Sequence, residues 1–289
     1  MNKICIVTDD NSGFNIEEAN KLGIKIIKMP IIIDSNIYYE NESISKEEFF
    51  NKLYSDSNIS TSQPSPGSII SLWDELLKNY DYILHIPMSS GLSTSCETAT
   101  NLALDYNDKV LVVNNHRISV TLKQSIYDAI TLINKGLDPK EIKKILENNG
   151  HNSSIYIMVD TLKFLKKGGR ITPAAGIIGD TLHIKPVLQL FEGKLDAYKK
   201  CVGTKSAINA LKSAIKNDLE TKFKDYSKDE LVFSCAYTGN DDSLIKMLSK
   251  EIKEEFNIKD EIIIDHLSLS VTTHIGKGAL ALTISKKVK

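Results

Sequence analysis

No two cysteines of this chain stand close together. The four present, Cys5, Cys96, Cys201 and Cys235, form no CxxC pair, which argues against a zinc framework and leaves reduced thiols as the expectation. An excess of charge is missing too: 36 Lys and Arg face 37 Asp and Glu, a formal net charge of −1. Without a basic footprint, nucleic acid is not an expected partner. The opening stretch, MNKICIVTDD, runs through only four apolar residues before two aspartates. That is too short for a signal peptide or a membrane span, so a soluble, cytoplasmic protein is expected. Internal repeats, low-complexity tracts and long linkers are absent, as are a Walker loop and a dinucleotide fingerprint. No nucleotide, metal or other cofactor is therefore expected.

What is present is enough apolar residue for a full core: 42% of 289 residues, suiting one large domain or two moderate ones. In the first half, β-rich runs (ICIVTDD, IKIIKMPIII, YILHIPM, KVLVVNN) alternate with helical patterns such as IEEANKLG, SKEEFFNKLY and GSIISLWDELLKNY. Strand and helix in alternation predict a parallel sheet with right-handed crossovers. A helix near 117–135 and another opening at DPKEIKKILENN close this half. The second half opens with SSIYIMV, and PVLQLFEGKLDAYKKC reads as a hairpin turning at Glu192-Gly193. Helices near 204–224 and 241–256 flank the strand LVFSCAY, and EIIIDHLS and GALALTIS follow. Hairpins mixed with helices predict an α+β layer. The expected fold is α/β and two-lobed: a parallel-sheet α/β domain over 1–152 and an α+β domain with a mixed or antiparallel sheet over 153–289.

Four segments could carry chemistry. TSQPSPG (61–67) precedes a helix that Ser65 and Pro66 already start, as cap and first-turn proline, so Thr61 and Ser62 are left over. MSSGLSTSCE (88–97) follows a strand; Thr94 and Glu97 have capping-box spacing, leaving Ser89, Ser90 and Ser93 over. Both segments are expected beyond carboxyl ends of the parallel sheet, where ligands bind. Spare hydroxyls and N–H groups at a helix start suit an anion, although serine-rich turns have the same composition. FLKKGGRITPAAGIIG (164–179) sets Arg170 beside small and apolar residues, a solvated charge run on the plain reading and an apolar channel's entrance on the other. THIGKGALAL (273–282) puts His274 before two glycines that allow close backbone approach.

Five motifs, TSQPSPG, SSGLSTS, LKFLKKGGRI, IKPVLQLFEGKL and HIGKGAL, occur in the order and approximate spacing of the DegV family. The chain resembles that family from IVTDD to its last strand. The resemblance implies a binding protein that holds a long-chain fatty acid in an apolar tunnel, with Thr61, Ser62, Ser93, Arg170 and His274 around the carboxylate. Two hydroxyl donors and a partly charged His274 would neutralise it without trapping it. It also implies a partner, a separate fatty acid kinase that makes the acyl phosphate for phospholipid synthesis. The chain departs from the resembled pattern at Lys277 (proline there), at Asn114-Asn115 (Asp-Ser) and at Val202 (an arginine linked to kinase engagement). Two other readings compete: a serine hydrolase or acyltransferase using Ser93 and His274, for which GLSTS lacks the second glycine of a nucleophile elbow, and a lipid store or sensor with no kinase.

Overall fold

The computed structural model describes residues 2–176, 183–191 and 193–289. The first half gives, in chain order, β1 (Ile4–Asp9), α1 (Ile16–Leu22), β2 (Lys25–Ile27), β3 (Ile31–Ile33), β4 (Asn36–Tyr38), α2 (Lys46–Leu53), β5 (Ile59–Thr61) and α3 (Pro66–Leu76). It continues with β6 (Tyr82–Ile86), α4 (Ser95–Ala103), β7 (Val110–Val112), α5 (Ser119–Asn134) and α6 (Pro139–Gly150). Strands β2-β1-β6-β7 form a wholly parallel sheet. Its two central strands are Ile- and Val-rich and nearly all buried, as a sheet covered on both faces requires.

One sequence expectation fails here. IKIIKMPIII is not a single strand: β2 belongs to the parallel sheet, whereas β3 pairs antiparallel with β4 and β5 in a separate three-stranded sheet. Pro30 cannot donate to a ladder and disfavours helix at Met29, so the apolar run breaks there. Asp10 Oδ2 takes the hydrogen bond from the Met29 N–H at 3.1 Å.

The second half supplies β8 (Ser153–Met158), α7 (Lys163–Gly168), α8 (Pro173–Gly176), β9 (Ile184–Phe191), β10 (Lys194–Val202), α9 (Gly203–Glu220), β11 (Leu231–Tyr237), α10 (Ser243–Glu255), β12 (Ile263–His266), α11 (Leu269–Ile275) and β13 (Leu280–Lys286). Six strands in the order β10-β9-β8-β13-β11-β12 make one mixed sheet, antiparallel except between β11 and β12. The expected hairpin is present as β9 and β10, with Phe191 opposite Lys194. Glu192 at its turn, and residues 177–179 of the basic segment, lie outside the described residues.

Strand alternation gives this sheet two unlike faces. Tyr156, Met158, Cys235, Leu282 and Ile284 pack with Leu211 and Ile215 of α9 and Leu248 of α10 in one apolar cluster. On the opposite face Ile157, Leu188, Ala236 and Ala281 cluster with Leu165 of α7, Ile275 of α11 and Val120 of α5.

Helix α5 joins the two sheets. It packs on β1 of one and on β11, β12 and β13 of the other, and is buried almost all round. Lys123 on α5 pairs with Asp265 at 3.0 Å and Glu18 at 3.4 Å, spanning both halves. The buried Arg117, just before α5, donates to the carbonyls of Asn149 at 2.6 Å and Asn152 at 3.3 Å. All four cysteines are buried and unbridged. Among the described residues no helix is long and apolar enough to cross a membrane, and no cluster of His, Cys, Asp and Glu has the grouping of a metal site.

Candidate ligand-binding site

Thr61 is the last residue of β5, opposite Ile31 of β3. The segment TSQPSPG thus leaves an antiparallel strand of the small sheet, not the parallel sheet as its sequence suggested; only MSSGLSTSCE stands at a parallel carboxyl end, after β6. The Ser62 N–H donates to the Pro30 carbonyl at 3.1 Å, and its hydroxyl donates to the Gln63 carbonyl at 3.1 Å. Ser65 accepts from the Ser68 N–H at 3.1 Å and Pro66 occupies the first turn of α3. The helix start is fully served without Thr61, whose Oγ1 lies 2.8 Å from Nε2 of His274.

Gln63 fastens the two polar segments together. Its Oε1 accepts from Thr94 Oγ1 at 2.8 Å and Thr98 Oγ1 at 3.0 Å. The expected Thr94–Glu97 capping box does not form, because the Thr94 hydroxyl is spent on Gln63 and gives α4 no cap. Ser93 stands in, its Oγ accepting from the Ser95 N–H at 3.2 Å, which leaves the Ser93 proton free to donate. Of the other surplus serines, Ser89 accepts from the Gly91 N–H at 3.2 Å and Ser90 from Asn114 Nδ2 at 2.9 Å.

His274 rides on the last turn of α11, a helix the sequence did not announce. Its start is pinned by Asn11 Oδ1, which accepts from Ser268 at 2.6 Å and Ser270 at 2.5 Å, and by Glu40, which accepts from the Leu269 N–H at 2.8 Å. Gly168 lies against the ring; a side chain there would collide with Nδ1. Gly169, in the left-handed region at φ 68°, ends α7 and turns the chain to Arg170, whose Nη1 donates to the Gly168 carbonyl. Burial, reinforced by the Arg170 charge, pushes His274 from 6.5 down to about 4. The expected partly charged histidine is therefore neutral near pH 7, and Arg170 supplies a fixed positive charge beside it.

Lys277 follows the site with a consequence of its own. Its N–H donates to Tyr54 Oη at 2.8 Å, a bond that proline, the residue of the resembled pattern, has no hydrogen to make.

Thr61, Ser62, Ser93, Arg170 and His274 all line one cavity of about 720 Å³, within the usual range for small-molecule sites. All five residues singled out from sequence thus meet at one place. The floor crosses the open face of the six-stranded sheet, from Leu195 on β10 and Leu190 on β9, through Ile155 and Ile157 on β8 and Ala281 and Thr283 on β13, to Ala236 on β11. Four steps at about 4.8 Å make roughly 19 Å of apolar floor. Met29, Met88 and Val271 contribute to the rest of the wall. Sequence reasoning missed Gln63, Lys194, Ser119 and Ser270 as lining residues; Gln63 and Lys194 sit inside motifs quoted above, and Ser119 and Ser270 carried no local signal.

A family model described as "Uncharacterised protein, DegV family" matches residues 3–287. The chain belongs to the DegV family. A DegV domain-containing protein of Staphylococcus aureus is 30% identical, covering 99% of this chain and 100% of its own length. Among solved DegV structures, a fatty-acid-binding member from Thermus thermophilus is 26% identical with TM-score 0.89, covering 98% of this chain and 99% of that one. A stearic acid-binding protein from Eubacterium ventriosum, 21% identical, shares the fold with TM-score 0.87 and 99% coverage of each chain. The two-part architecture is thus shared by this chain and the solved structures, and the Thermus thermophilus and Eubacterium ventriosum proteins are fatty-acid-binding proteins.

Proposed function

We propose that the protein binds a long-chain fatty acid, of roughly 14 to 18 carbons, with its tail across the cavity floor and its carboxylate at Thr61, Ser93 and His274. The observation that carries this reading is the cavity itself: a long apolar floor closed at one end by hydroxyls, an imidazole and Arg170. Burying such a tail at roughly 0.8 kcal/mol per methylene yields on the order of 10 kcal/mol, less an association cost of about 4 kcal/mol or more. The tail supplies affinity and the head group supplies orientation. Neutral His274 donates or accepts one hydrogen bond, and Arg170 balances the charge from the side. Mass spectrometry of an organic extract of the purified protein tests this: near-stoichiometric fatty acid is expected. A lipid-free extract, with no uptake of added oleate or palmitate, would refute it.

The carboxylate is then offered, in the cytoplasm, to a separate fatty acid kinase; this chain has no phosphate loop of its own. Lys199, Lys200 and Lys205 are exposed beside Val202, itself 70% exposed, and give a basic surface suited to steering such a partner. The hydrolase reading is disfavoured by two observations. His274 Nε2 meets Thr61 rather than Ser93, and an imidazole held at about 4 beside an arginine is a weak base.

A further inference from the structure

The turn after β6 brings two hydroxyls to the cavity, and only Ser93 has been given a task. Leu92 and Ser93 both donate their N–H to the Ser89 carbonyl, at 3.0 and 3.2 Å, so residues 89–93 form a single helical turn. Residues three apart in such a turn lie on one face. Ser90 therefore stands beside Ser93, and both line the cavity. The turn is also clamped from outside by the tip of the β9–β10 hairpin. A Cβ on Gly91 would fall 2.4 Å from the Gly193 carbonyl oxygen, and one on Gly193 would fall 2.7 Å from Ser89 Oγ. Only glycine permits backbones to approach so closely.

The two hydroxyls are used alike. Ser93 Oγ accepts from the Ser95 N–H at 3.2 Å, and Ser90 Oγ accepts from Asn114 Nδ2 at 2.9 Å. A hydroxyl has one proton and two lone pairs, so an oxygen that already accepts keeps its proton for another partner. Asn114 is fixed for this duty. It follows β7, the strand beside β6, its N–H donates to Glu147 Oε1 at 3.1 Å, and Lys143 pairs with that carboxylate. Its own Oδ1 is buried and, among the described residues, has no partner. With the amide turned over, Asn114 would take the Ser90 proton instead of leaving it to the cavity, and ligand binding distinguishes the two arrangements. The head group has room for that proton. A carboxylate offers about four acceptor sites, while Thr61 and His274 are bonded to each other and spend one proton between them.

We infer that Ser90 is a further hydroxyl donor to the carboxylate, with Asn114 as its positioning residue, so that two serines of one clamped turn hold the head group. This deepens the fatty-acid reading above and rests on it. The test is binding of stearate, and of methyl stearate with its uncharged head group, to lipid-stripped protein. Ser90→Ala should weaken stearate about ten- to a hundredfold, the ratio that a bond to a charged acceptor gives, and methyl stearate only a few-fold. Ser90→Thr keeps the hydroxyl and should restore stearate binding. Asn114→Ala should weaken stearate when made alone and add nothing to Ser90→Ala, since its role runs through that hydroxyl. Where the alanine protein fails to fold, Ser90→Cys, a weak donor, takes its place. Equal losses for the two ligands, or no loss for stearate, overturn the proposal. A further loss from Asn114→Ala in the double variant removes Asn114 from it. Wild-type protein that binds neither ligand overturns the fatty-acid reading, and this one with it.

Discussion

The two faces of the six-stranded sheet are made by alternate residues of the same strands, yet one is solid and the other encloses a cavity. On β13 the solid face carries Leu280, Leu282 and Ile284; the open face carries Ala281 and Thr283. On β11 Phe233 and Cys235 face α9 and α10, while Ala236 faces the cavity. Interiors pack to crystal-like density when large side chains meet, so small residues in register on one face keep that density from being reached. On β11 and β13 the cavity is written as a difference in side-chain size between alternate positions, while Ile155, Ile157, Leu190 and Leu195 give the rest of the floor its apolar surface.

That contrast is open to direct attack. Leu282→Ala, on the solid face, should cost about 2–5 kcal/mol of stability, as a buried leucine truncated to alanine does, while folded protein keeps its lipid. Ala281→Leu, on the open face, should do the reverse: thermal denaturation moves little and lipid stoichiometry falls steeply. If the two variants lose stability and lipid in the same proportions, the division between the faces is wrong. A smaller effect is expected at the head group. Thr61→Ala or Ser93→Ala removes one hydrogen bond to a charged acceptor, about 1.5–3 kcal/mol, so lipid binding weakens by titration without vanishing.

Much of this was legible beforehand, for a definite reason. Thr61 was visible as a hydroxyl beyond the needs of a helix cap, and His274 and Arg170 as single charged or titratable groups beside glycines; Ser93 was singled out on the same ground as Thr61, although its hydroxyl in fact serves the start of α4. Most strands and helices were found because Ile- and Val-rich runs and amphipathic stretches report their own periodicity. What escaped depends on partners distant in the chain. Nothing local says that IKIIKMPIII divides between two sheets, that Gln63 takes the Thr94 hydroxyl, or that LSVTTHI, full of β-branched residues, is held helical by Asn11 and Glu40.

Acidity sharpens the head-group end further. His274 titrates at about 4 in the folded protein against 6.5 in a free chain, so the unfolded chain binds protons that the folded site refuses. Its contribution is complete above pH 6.5 and is lost as pH falls toward 4. In lipid-stripped protein, the stability gap between wild type and His274→Gln should shift against wild type over that window; a gap independent of pH would mean the ring is solvated. The smallest effect is expected far from the tail. Charge reversal at Lys200 and Lys205 should slow phosphorylation by a cognate kinase, with lipid content unchanged, and added salt should act in the same direction. Loaded, folded protein that no kinase phosphorylates would favour a store or sensor.

The bond between Thr61 and His274 joins residues 213 positions apart, and this has a consequence for the chain's birth. At roughly 5–20 residues per second, Thr61 emerges from the ribosome well before α11 exists. The parallel sheet can close early, since its strands end at Val112. The cavity floor cannot, because β13 lies between β8 and β11 and is synthesised last of the three. A nascent chain therefore has no continuous cavity floor until β13 slides into the middle of the sheet. Under the proposed function, capture of the acid is in this way coupled to the synthesis of β13, and a molecule truncated before Leu280 is expected to be empty however well its first half had folded.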